Sequence, residues 1–131
     1  RIDILINNAG MTHYYLGQED TLEMDKKIFD VNFFGTIALT KALLPHFIEN
    51  NSGFIAVTTS VSGKYGIPYR TSYSASKHAL NGFFDSLRIE LYQTNIKILL
   101  FGPFPLSAAV LNAWANSINA TVPLPSSSAP L

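Results

Sequence analysis

Residues 54–59 read Phe-Ile-Ala-Val-Thr-Thr, an apolar, β-branched run that stops at Ser60 and gives way to a Ser-, Gly- and Pro-rich stretch reaching about Thr71. Six residues without polar alternation predict a strand buried on both faces, as in a parallel sheet. Downstream, Ala75, Ala79, Leu80, Phe83, Phe84, Leu87 and Leu91 recur at helical spacing over about 72–92. Ile96 to Phe101 is another apolar run, closed by Gly102-Pro103. Upstream, Arg1-Ile2-Asp3-Ile4-Leu5-Ile6 is a third run of the same kind, cut by Asn7-Asn8-Ala9-Gly10. Between these first two strands, Asp20 and Glu23 have capping-box spacing. Met24, Ile28, Val31, Phe34, Ile37 and Leu44 follow at helical spacing to about Glu49. Gly35 and Pro45 lie inside that stretch, so a bent or interrupted helix is expected. Strand, helix, strand, helix, strand is the order of a doubly wound parallel α/β layer with right-handed crossovers.

The chain has 131 residues, 47% apolar and 12% aromatic, which suffices for a packed core and excludes disorder along its whole length. Residues 1–114 form one domain on this reading, and 115–131, rich in Asn, Ser, Pro and Ala, form a flexible tail. Nine basic and nine acidic residues cancel, leaving no basic field for nucleic acid. Without cysteine there is no disulfide framework and no thiolate nucleophile. No uninterrupted run reaches the ~18 apolar residues of a membrane span, since Lys41 breaks Phe33 to Phe47. The charged, strand-like opening has no signal-peptide pattern. A mean hydropathy of +0.18 is nonetheless high.

Tyr73 and Lys77 stand four positions apart on a predicted helix, hence on one face. At ~4 Å and an effective dielectric near 20, a unit charge changes another's energy by about 4 kcal/mol. An ammonium so placed moves a phenol toward the range where acid–base catalysts work. Ser60 ends the strand that precedes this helix, and strand carboxyl ends face the ligand crevice of such sheets. Taken singly, the pair is also an ordinary helix face and Ser60 an ordinary loop serine.

Taken together they carry a resemblance. Asn7-Asn8-Ala9-Gly10 after a strand, Asn32 in Val31-Asn32-Phe33-Phe34-Gly35, Ser60, and Tyr73-Ser74-Ala75-Ser76-Lys77 resemble the short-chain dehydrogenase/reductase family in order, spacing and context over roughly residues 1–107. Leu39-Thr40-Lys41-Ala42-Leu43-Leu44-Pro45 and Ala75-Ser76-Lys77-His78-Ala79-Leu80 look most like its dehydrogenase/reductase member 7 branch, near the 11β-hydroxysteroid dehydrogenase type. The resemblance implies a partial Rossmann-like fold of three strands and two long helices. It implies an oxidoreductase that interconverts a hydroxyl and a carbonyl with NAD(P)(H), NADP being favoured by the branch. Tyr73 would be the general acid/base, Lys77 would assist it and bind the nicotinamide ribose, and Ser60 would orient the substrate carbonyl. Asn32 would interrupt its helix so that a backbone carbonyl holds a water of a proton relay. Asn8 would brace the sheet, while Ala9 and Gly10 let the backbone approach the cofactor.

Two departures stand out. No glycine-rich phosphate turn precedes Arg1, so the chain looks like a fragment of a longer enzyme and is expected to be inactive alone. After the third strand the family has Pro-Gly and a small hydroxyl residue, whereas Gly102-Pro103-Phe104-Pro105-Leu106-Ser107 stands here, with Pro103 and Phe104 as the expected nicotinamide contacts. Phe104, Leu106, Val110, Leu111 and Trp114 read equally as a greasy substrate pocket or as helix core. His13, His46 and His78 lack metal-ligand spacing, and no Gly-x-Ser-x-Gly elbow suggests a hydrolase. Asn50-Asn51-Ser52 and Asn119-Ala120-Thr121 match the short glycosylation pattern. The expected substrate is an apolar steroid, retinoid or lipid carbonyl or alcohol. The expected partner is a second copy, through helices 22–49 and 72–92, and the expected compartment is cytoplasmic or endoplasmic-reticulum-associated. The rival reading is a catalytically dead remnant kept as a dimerisation module.

Overall fold

The computed structural model describes residues 1–102; the readings for Pro103, Phe104, the apolar set up to Trp114 and the tail 115–131 lie outside the described residues. Three strands, β1 (Ile4–Asn7), β2 (Gly53–Thr58) and β3 (Ile96–Phe101), form one parallel sheet in the order β1-β2-β3. Leu5 pairs with Ile55 and Ile55 with Ile98, which puts the central strand where its apolar run demands burial. Two long helical bodies connect the strands, as the alternation predicts.

Successive strand residues point to opposite faces, so Leu5, Ile55, Val57 and Ile96 share one side of the sheet. Phe47, Leu80, Phe84 and Leu87 from the helices join them in a single core. Ile55, Val57, Phe47 and Phe84 are fully buried. Ile4 and Ile6 point the other way and are 59% and 64% exposed. The expectation that the first strand is buried on both faces is therefore corrected: among the described residues both helical bodies cover the same face.

The first helical body is interrupted, as expected, around Asn32 and against Gly35, and not at Pro45. It comprises α1 (Leu22–Phe29), a π-helical turn (Asp30–Phe34) and α2 (Gly35–Glu49). Pro45 is carried inside α2 without a break. The wide turn admits an extra residue and turns Asn32 inward, fully buried, while Val31 and Phe34, expected on the apolar face, are 37% and 52% exposed. The N-cap also differs from the expected Asp20. Thr21 caps α1, its hydroxyl accepting from the Met24 amide, and Asp20 instead accepts from the Thr21 amide.

Taken as one 28-residue body, Leu22–Glu49 has the length and average apolarity of a membrane span, although Lys41 and its other charges break any continuous apolar run. Its inward side carries the buried polar residues Asn32, Thr36 and Thr40, all spent on contacts within the domain. The second body, α3 (Thr71–Glu90), begins at Arg70 and follows a short 3-10 turn, Val61–Gly63, in the predicted loop.

Candidate active site

The carboxyl ends of β1 and β2 and the N-terminal half of α3 meet around Asn32. Its side-chain amide is fixed at every available atom. Oδ1 accepts from the Met11 amide at 2.8 Å, and Nδ2 donates to the Met11 carbonyl at 3.0 Å and to Ser76 Oγ at 3.0 Å. Ser76 in turn donates to the Tyr73 carbonyl at 2.8 Å. The π turn that breaks the helix thereby ties the segment after β1 to the helix that carries Tyr73 and Lys77.

Lys77 is 4% exposed, and its Nζ donates to the Thr58 carbonyl at 2.9 Å, at the end of β2. Burial disfavours its charged form, so its pKa is lowered from the ordinary lysine value of 10.5. An ammonium has three donors, and the Thr58 carbonyl takes one. Gly10 lies against the same group: a Cβ there would stand 3.6 Å from Lys77 Nζ and 3.4 Å from Asn32 Oδ1. The missing side chain keeps space beside the ammonium, the kind of opening a backbone leaves for a ligand. Tyr73 is half-buried, with Lys77 Nζ 5.7 Å from its ring centroid. Asn32, Gly10, Lys77 and Tyr73 thus converge, as the motif spacing suggests.

Ser60 follows Thr59 at the end of β2 and caps the 3-10 turn, accepting from the Ser62 amide at 3.1 Å. The hydroxyl keeps its proton free to donate, since no acceptor is recorded for it among the described residues. Gly102 is packed against its backbone, where a Cβ would come within 3.0 Å of the Ser60 carbonyl carbon. A cavity of about 360 Å³ opens beside Ser60, bordered by Asn81, Asp85, Leu100 and Gly102; Tyr73 and Lys77 do not line it. Lys77 and this cavity therefore occupy different ground.

Asn8 joins the strands, its Oδ1 accepting from Thr58 Oγ1 at 2.8 Å. The deeper brace, missed in the sequence, is Asn7. It is 6% exposed and donates to Thr40 Oγ1 at 3.0 Å. Thr40 donates to the Thr36 carbonyl, and the Thr36 hydroxyl donates to the Asn32 carbonyl. A ladder of buried hydroxyls thus runs from β1 to Asn32. Its only signal in the sequence is a threonine every four residues on an otherwise apolar helix. Ala9 makes no side-chain contact that singles it out.

A family model for short chain dehydrogenase matches residues 1–119. The chain belongs to the short-chain dehydrogenase/reductase family. It is 49% identical over 102 residues to "Dehydrogenase/reductase SDR family member 7C" of Homo sapiens, covering 78% of this chain and 33% of that protein. It spans about a third of the length of the curated relatives it matches. In structure it is similar to 4-hydroxyisoleucine dehydrogenase complexed with NADH, with a TM-score of 0.73 and 34% identity over 76% of this chain and 44% of that one. It is also similar to ElxO with NADP bound, with a TM-score of 0.77 and 29% identity over 92% of this chain and 49% of that one.

Proposed function

We propose that the chain carries the proton-transfer centre and the nicotinamide-facing surface of an oxidoreductase that interconverts a hydroxyl and a carbonyl. The observation that carries this reading is the buried Lys77 ammonium, held beside Tyr73 and open toward Gly10. In reduction, the Tyr73 phenol gives its proton to the carbonyl oxygen, which Ser60 holds through its free hydroxyl proton. The Lys77 ammonium favours the negative charge left on the phenol, by simple Coulomb attraction. In oxidation the same groups run in reverse.

The cofactor on this reading is NAD(P)(H), and the residues present fit its nicotinamide end. Two spare donors of Lys77 would hold ribose hydroxyls, and Gly10 leaves room beside them. When bound, the cofactor supplies or takes the hydride. Preference for NADP rests on the likeness to the member 7 branch. Reprotonation is assigned to a water between Lys77 and the Asn32 carbonyl, which also accepts from the Thr36 hydroxyl.

An apolar substrate is supported by Tyr14, Tyr15 and Leu16, which are 59%, 50% and 40% exposed beside the start of α3. The Tyr15 amide donates to the Tyr69 carbonyl at 3.1 Å, holding that segment close to Tyr73. Pairing with a second copy is supported by Phe34, Leu39 and Ile89, apolar and 52%, 48% and 72% exposed on the two helical bodies.

Replacing Tyr73 by Phe keeps the ring and removes the proton. Turnover of the complete enzyme, followed with NADH or NADPH and an apolar ketone such as retinal or a steroid ketone, should fall by roughly 10²–10⁴. Turnover within about twofold of the parent would remove Tyr73 as the acid–base group.

A further inference from the structure

Arg70 immediately precedes α3 and belongs to none of the motifs discussed above. Its guanidinium carbon lies 4.0 Å from the centroid of the Tyr14 ring and 5.5 Å from that of Tyr73. No carboxylate lies within 4.0 Å of it among the described residues, where the ion pairs are Arg1–Asp3, His13–Asp20 and Arg88–Asp85. Nor is a hydrogen bond recorded for the guanidinium there. Its charge is spent on two aromatic faces, one of them that of the proton donor.

The backbone holds this arrangement at some cost. Tyr69 has φ of 66°, the left-handed region that a bulky side chain disfavours. The Tyr15 amide bonds to its carbonyl at 3.1 Å, and the Arg70 amide donates to Ile67 at 3.2 Å. Strain of this kind persists where surrounding contacts over-determine it. Here it turns the chain so that Arg70 enters α3 beneath Tyr14.

We propose that Arg70 is a positioning residue for Tyr73, a second cation that holds the ring and favours the negative charge left when the phenol gives up its proton. The proposal rests on the reading of Tyr73 as proton donor. Lys77 approaches the ring from one turn further along α3, with Nζ 5.7 Å from the centroid. The two cations therefore lie at similar distances from the same ring. The charged groups on neighbouring elements are otherwise engaged: Asp25 of α1 accepts from the Ser72 hydroxyl, and Asp20 faces His13. A cation on a ring face at a partly exposed site contributes enough to change an equilibrium about three- to fivefold.

Nitration by tetranitromethane tests this without knowledge of the substrate, because the reagent attacks phenolate and its rate follows the ionised fraction. The rate at Tyr73 is read by mass spectrometry of the full chain, with Tyr92, 75% exposed and at the far end of α3, as internal reference. Arg70→Met should slow Tyr73 nitration about three- to fivefold relative to Tyr92, and Arg70→Lys should recover most of the rate. An unchanged or faster rate in Arg70→Met would overturn the proposal, as would equal slowing in both variants. Far-UV circular dichroism and the urea midpoint of each variant report whether it keeps the fold at α3. Turnover that survives Tyr73→Phe sinks the catalytic reading and leaves the nitration result standing. Unaltered nitration with an inactive Tyr73→Phe enzyme sinks Arg70 alone.

Discussion

The two halves of α3 are built from opposite materials. Its N-terminal half buries Ser72, Ser74, Ser76 and Lys77, and its C-terminal half buries Leu80, Phe84 and Leu87. One stretch of helix thus anchors the fold at one end and holds a charge in a low-dielectric position at the other. The polar half buries little apolar area to stabilise it, so it is held by hydrogen bonds to Asn32, Asp25 and Thr58. The apolar half makes one such bond, from the buried Asn81 to the Gly63 carbonyl, and rests otherwise on packing. The placing of Tyr73 and Lys77 is borrowed from the sheet and the π turn, and the lower half of the helix supplies the rigidity on which that geometry rests.

Breaking the apolar half should produce the largest effect on stability. Phe84→Ala removes a fully buried ring from the core shared by Ile55, Val57 and Leu87. A loss of about 3–5 kcal/mol is expected in urea unfolding. A loss under about 1 kcal/mol would mean that the core does not depend on this half of α3.

Breaking the polar half should cost less globally and more locally. Asn32→Ala orphans the Met11 amide and carbonyl and removes the partner of Ser76. About 2–3 kcal/mol of stability should be lost, the usual range for leaving buried polar groups unpaired. Exchange of the Met11 amide hydrogen should accelerate by more than the global loss explains. If Met11 exchanges no faster than Ile55, Asn32 is not the clamp its geometry indicates.

Much of this contrast was legible in the residues. The apolar runs at 54–59 and 96–101 gave two of the strands to within a residue, because near-continuous apolar strands are the mark of a parallel sheet. Tyr73, Lys77 and Asn32 were legible as motif residues, and the structure brings them together. The same rule misjudged β1, where Ile4 and Ile6 face away from the helices: alternation between faces is hidden when both faces are written in isoleucine and leucine. The π turn was visible only as a disturbance near Gly35, since an inserted residue leaves the 3.6-residue pattern ambiguous on either side. Asn7, Thr36 and Thr40 were invisible for another reason. A buried hydroxyl on a helix is indistinguishable in sequence from an exposed one until its partner on β1 is known. Arg70 escaped because stacking on two rings brought together from different segments has no spacing rule.

The smallest expected effect separates the halves by charge. Burial lowers the pKa of Lys77 from 10.5, so the unfolded chain keeps this proton to a higher pH than the folded chain does. Between the two values the unfolded state binds more protons, and native stability gains from a rise in pH across that window. Below it, the folded state carries the burial penalty of a charged ammonium in full; above about 10.5 the penalty is gone in both states. Lys77→Met has no proton to lose. The stability of the parent relative to this variant should therefore rise as pH climbs toward 10.5 and level off beyond it, whereas Leu80→Ala, one turn further on in the apolar half, should differ from the parent by a constant amount. Chemical denaturation of the three proteins at a series of alkaline pH values measures both differences, and the titrations of groups remote from Lys77 cancel in the comparison. A parent-to-Lys77→Met difference that stays flat with pH would show that the Thr58 carbonyl compensates the ammonium fully, and that the polar half of α3 stores no electrostatic strain.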